Sequence, residues 1–77
     1  RADELVYFRG HITAEPEDGV YVFEDGTGNV RVEIPNEART GVTLRRDVRY
    51  EVFGRALRLP FEELRVQAET LTPISGK

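Results

Sequence analysis

Seventy-seven residues allow one domain, spanning 1–77 with a core over about 5–72, and a chain this short buries only about 60% of the surface its unfolded form exposes. The absence of cysteine excludes a disulfide framework and a thiolate zinc site, and no apolar run approaches the roughly 20 residues that span a membrane. Fourteen acids against eleven bases, interspersed along the chain for a net charge of −3, argue against a strong polyanion partner, because nucleic-acid binders carry a basic excess or a basic block.

Ten of the eleven bases are arginine, which suits fixed bidentate contacts better than lysine does. The one adjacent basic pair, Arg45-Arg46, is followed at once by Asp47. The chain begins at Arg1 and contains no methionine, which fits a cleaved secretory leader, a removed initiator or trimming.

Leu5 to Ala14 reads as a first strand, with Phe8, Gly10 and Ile12 on one face and Tyr7, Arg9, His11 and Thr13 on the other. Gly10 in mid-strand predicts a sharp bend or the close approach of another strand at a barrel corner. Glu15 to Gly19 is a turn cluster, and Val20 to Glu24 a second strand with Tyr21 and Phe23 inward and Val20, Val22 and Glu24 outward.

Asp25-Gly26-Thr27-Gly28 is the most informative stretch. Its glycines supply the positive φ of a hairpin turn, and Asp25 can accept a hydrogen bond from the backbone two residues on. Beyond it, Val30, Val32 and Ile34 alternate with Arg31 and Glu33 as a third, half-buried strand that Pro35 stops. Asn36 to Arg39 can form one helical turn, capped by Asn36 and closed by Gly41.

Val48 to Arg55 is the fourth strand, with Val48, Tyr50, Val52 and Gly54 inward. Ala56 to Phe61 is an unusually apolar loop. Glu62 to Leu71 is the fifth strand, with Leu64, Val66 and Ala68 inward. The plan is an all-β, five-stranded OB-fold Greek-key barrel with a short helical turn after the third strand; an SH3-like barrel is its nearest competitor.

Catalysis has little to draw on. His11 is the one histidine, and Ser75, the one serine, sits in the tail, so a Ser-His-Asp arrangement lacks its parts. The acidic turn Glu15, Glu17, Asp18 lacks the ligand spacing of a calcium loop, and neither a metal nor a cofactor is implied. The outward face of the first three strands and its neighbour, carrying Arg9, His11, Val22, Arg31, Glu33 and Phe53, is the candidate ligand-binding face. Tyr7 and Phe53 are outward rings of the kind that stack nucleic-acid bases. Leu57, Leu59 and Phe61 form either a lid over a barrel end or a protein-contact patch.

The glycine of F-R-G-H-I, the run Y-V-F-E-D-G-T-G-N-V-R-V-E-I, then Y-E-V-F-G-R and E-L-R-V-Q-A-E-T-L resemble the bacterial OB-fold (BOF) family, over residues 5 to 74. Those are small periplasmic proteins linked to stress tolerance. The resemblance implies an OB barrel, a cleaved export signal, no enzymatic activity, and a small or cationic ligand in the OB groove. The loop from Ala56 to Phe61 departs from the family in being apolar where a polar turn is expected. A D-G-T-G hairpin after an aromatic strand also occurs in nucleic-acid-binding OB domains. The expected function is therefore an exported, non-catalytic module for a small molecule, an envelope component or a protein; the alternative is binding of single-stranded DNA or RNA.

Overall fold

The structure, a computed structural model, describes residues 4–57 and 64–74. Five strands, β1 (Glu4–Glu17), β2 (Val20–Glu24), β3 (Asn29–Glu33), β4 (Arg49–Leu57) and β5 (Arg65–Ile74), close a barrel in the order β1-β2-β3-β5-β4. The β3–β5 pair is parallel and the others are antiparallel. One helical turn, α1 (Asn36–Arg39), follows β3. This is the OB plan expected from the sequence.

Closure depends on β1 serving two neighbours. Residues Glu4 to Gly10 pair with β4, and His11 to Glu17 pair with β2. The handover falls at Gly10, where a Cβ would lie 2.6 Å from the carbonyl oxygen of Glu24. Only a residue without a side chain lets the strands meet there. Gly54 plays the same part between β4 and β5, where a Cβ would lie 2.2 Å from the carbonyl oxygen of Gln67. β1 runs three residues beyond the expected end at Ala14, its register shifting between Ile12 and Ala14 and again before Glu17. Such irregularities accommodate Pro16, which cannot donate to a ladder.

The core gathers Ile12, Tyr21, Phe23, Val32, Ile34, Tyr50, Val52, Val66, Ala68 and Leu71, with Phe8 and Val30 partly buried against it. Phe23 is wholly enclosed and meets Phe8 and Tyr50 edge-on, at ring-centroid distances of 5.8 and 6.4 Å. The buried Tyr50 hydroxyl accepts a bond from the Arg45 N–H (2.9 Å) and donates to the Thr43 carbonyl (3.2 Å), pinning the α1–β4 connector to the barrel.

Three expectations are corrected. Leu64 is exposed rather than inward and precedes β5. A bulge at Glu69 then shifts the alternation, since Phe53 pairs with Thr70 but Gly54 with Ala68, so the inward set is Val66, Ala68 and Leu71. Val20 is buried rather than outward: Glu17 and Glu33 stand opposite it on the two neighbouring strands, and long side chains at such positions cover apolar surface with their stems. Asn36 is the first helical residue rather than the cap, a position Pro35 takes without a side-chain bond.

Candidate functional site

The hairpin between β2 and β3 is built on Asp25. Its Oδ1 accepts bonds from the Thr27 N–H (2.9 Å), the Thr27 hydroxyl (2.8 Å) and the Gly28 N–H (3.1 Å). These donors, the Thr27 N–H first, hold the Asp25 carboxyl below the usual carboxylate range. Gly26 takes φ 94°, the left-handed conformation expected of this turn, while Gly28 does not. The locked turn fixes the register in which Val22 faces Arg31 and Glu24 faces Asn29.

That register sets the outer face of β2 and β3. The β3–β5 ladder starts only at Arg31 and Arg65, so the beginning of β3 stands clear of β5. A depression of about 480 Å³ opens there, lined by Val22, Asn29, Val30, Arg31 and Leu64. Val22, Val30 and Leu64 make its lining largely apolar, and Asn29 and Arg31 bring an amide and a guanidinium. This is the composition of a site that recognises a ligand with an apolar body and a few hydrogen-bonding groups. Further along β3, Glu33 holds Arg65 at 2.9 Å, in a partly buried pair.

The six residues of the expected ligand face divide into groups. Val22 and Arg31 meet in the depression. Glu33 is engaged with Arg65. Arg9 pairs with Glu51 of β4 at 3.3 Å, and its Nε donates to the Tyr7 hydroxyl at 3.3 Å. His11 Nε2 lies 3.5 Å from Glu24, in a second depression with Asp25, Gly26 and Arg49. Phe53 stands opposite Tyr7 on the β1–β4 ladder and is not part of the depression around Arg31. The sequence reading missed Asn29, Val30 and Leu64 as site residues. For Val30 and Leu64 it did so because their apolar character matches a core position; only the late start of the β3–β5 pairing leaves them at a mouth.

Leu57 ends β4 and is half-buried, whereas Leu59 and Phe61 lie outside the described residues. Among the described residues, no three His, Asp or Glu side chains are grouped to hold a metal ion, and no helix is long and apolar enough to cross a membrane.

Comparison with known proteins adds three findings. The model of a family described as bacterial OB fold (BOF) protein matches residues 1–72. The solved structure of the hypothetical protein ygiW from E. coli superposes with a TM-score of 0.88 at 26% identity, covering 96% of this chain and 78% of that one. A chain of the S. pombe Stn1-ten1 complex superposes with a TM-score of 0.71 at 16% identity, covering 100% of this chain and 68% of that one, a likeness of fold alone. No curated protein sequence matches the chain.

Proposed function

Because the chain belongs to the bacterial OB-fold (BOF) family, a family of small binding barrels, we propose that it is an exported, periplasmic, non-catalytic module that serves stress tolerance by binding a small molecule, an envelope component or a protein. The observation that carries the ligand site is the depression at Val22, Asn29, Val30, Arg31 and Leu64. It lies on the outer face of β2 and β3, the face on which OB barrels hold ligands. The non-catalytic reading rests on inventory: a single histidine, a single serine in the tail, and carboxylates at outward and turn positions.

Nucleic acid is the alternative, and the charge pattern weighs against it. Arg9, Arg65 and His11 each stand beside a glutamate on this surface, so little positive charge remains to follow a phosphate backbone. The test is a set of amide chemical shifts recorded while isotope-labelled protein is mixed with size-fractionated periplasmic extract. Shifts at Val22, Asn29, Arg31 and Leu64 that vanish in Arg31→Ala are expected. Shifts confined to other faces, or none in any fraction, overturn the assignment. Fractionation of cells expressing the full-length gene tests export separately.

A further inference from the structure

Among the described residues three arginines are half-buried: Arg31, Arg39 and Arg65. Arg65 holds Glu33, and Arg31 is also engaged. Arg39 differs, because no described carboxylate lies within ion-pair distance of it. Its Nη1 donates to the Tyr21 hydroxyl over a long 3.4 Å, its Nη2 donates to Asn36 Oδ1, and its Nε is buried with no partner. By contrast Arg9, Arg45, Arg55 and Arg65 have carboxylates at 2.8–3.3 Å, although most of them are better exposed to water. A cation partly withdrawn from water and set only against neutral oxygens is poorly compensated, and a counter-ion there is favoured.

The surroundings specify which anion. Arg39 and Asn36 form the wall between two depressions. One, of about 390 Å³, is lined by Glu17, Asp18 and Glu33 among others and repels negative charge. The other, of about 510 Å³, is lined by Tyr21, Asn36, Arg39, Thr40, Val42 and Leu44 and holds no acid. Val42 and Leu44 pack against the barrel core and present an apolar wall. Each terminal nitrogen of Arg39 keeps one N–H beyond its present bond, which can be donated to a carboxylate oxygen. The Tyr21 hydroxyl accepts from Arg39 and retains its own proton to donate.

We infer that this depression, where α1 and the connector to β4 cover the barrel end, is a second binding site, distinct from the Arg31 groove, for a small organic monocarboxylate with a short apolar chain. The carboxylate sits on Arg39 and the chain lies along Val42 and Leu44. A single negative charge is preferred to a double one, because Glu17, Asp18 and Glu33 line the neighbouring depression, beyond ion-pair distance on the other side of the wall that Arg39 and Asn36 form.

Hexanoate is the probe, with hexanol and inorganic phosphate as controls, followed by amide chemical shifts up to about 50 mM, above the roughly millimolar affinity so small a ligand attains. Saturable shifts at Tyr21 and over residues 36–44 are expected for hexanoate and not for the controls. Arg39→Gln should weaken binding at least about tenfold, the scale of one charge-assisted contact. Thr40→Glu, at an exposed position, should also abolish binding by supplying the counter-ion from within the chain, so the site stays testable even if Arg39→Gln fails to fold. No saturation by hexanoate, an equal response to hexanol, tighter binding of phosphate, or shifts located instead at Val22 and Arg31 would each overturn the proposal. The last outcome would leave the Arg31 groove as the ligand site.

Discussion

Replacing Gly54 by alanine tests the barrel closure directly. The added Cβ would lie 2.2 Å from the Gln67 carbonyl oxygen, 2.9 Å from its carbon and 3.0 Å from the Ala68 Cα. All three are backbone atoms, so no side chain can swing aside. Ordinary contact begins at 3.4 Å, so β5 must retreat by roughly 1 Å at its most crowded point. That point adjoins the Glu69 bulge, where the register already shifts, and the flanking Arg55–Gln67 and Phe53–Thr70 pairings weaken together. Strain of this kind costs about 1–3 kcal/mol and each of the two weakened pairings adds about 1 kcal/mol, giving about 3–5 kcal/mol in all. A domain this small has a total stability of roughly 4–12 kcal/mol, and its melting temperature should fall by about 12–40 °C. Urea and thermal melts of Gly54→Ala measure the loss, with Gly28→Ala as the control. Gly28 has no atom within 4 Å of an added Cβ and no positive φ, so its variant should melt within about 0.5 kcal/mol of the parent. Equal melting of the two variants would falsify the close-approach account.

Asp25 predicts a pH effect. Its folded-state pKa is depressed by the Thr27 donors, so the turn's contribution is present above the ordinary aspartate range and is lost as pH falls through the lower folded value; the melting temperature of the parent should drop relative to Asp25→Asn as the solution is acidified from about pH 4, and parallel curves would refute this. Labelled single-stranded DNA and RNA should bind no tighter than roughly 10⁻⁵ M at physiological salt, the range of non-specific contacts. Submicromolar binding with a steep salt slope, lost in Arg9→Ala or Arg31→Ala, would favour the nucleic-acid reading.

The local signals in the sequence were strong wherever one residue type has a single physical use. Gly10 in mid-strand could serve only a bend or a close approach, and it marks the handover of β1 from β4 to β2. Asp25 and Gly26 fix a turn from its own chemistry. Errors arose where alternation was extrapolated through an irregularity. A bulge has no side-chain signature at Glu69, so the shift that brings Leu71 into the core is invisible in the sequence, and the alternation through Leu64, Val66 and Ala68 puts the exposed Leu64 inward. The candidate face was legible as a list of outward residues but not as a site. Whether Arg9 meets Glu51 or Arg31 meets Leu64 depends on which strands adjoin, and that is a property of closure rather than of any one strand.

Closure also explains where ligands have room. The antiparallel ladders seal most of the wall, and outward charges pair across strands: Arg9 with Glu51 and Arg55 with Glu69 on antiparallel ladders, Arg65 with Glu33 on the parallel one. Those pairs are spent on the barrel itself, which leaves a net acidic protein without a basic stripe. The parallel β3–β5 seam is only three residues long, because β3 begins at the hairpin and ends before Pro35. Above the seam the wall parts between Val30 and Leu64, next to Arg31. Below it a helix of one turn covers the barrel end, and Tyr21, Val42 and Leu44 remain at a concave surface beside Arg39. Each concavity combines apolar side chains with a half-buried arginine, Arg31 in the first and Arg39 in the second, and only the first is bordered by the seam. Lengthening the seam would close the first without touching the second, so the two sites can be separated by mutation.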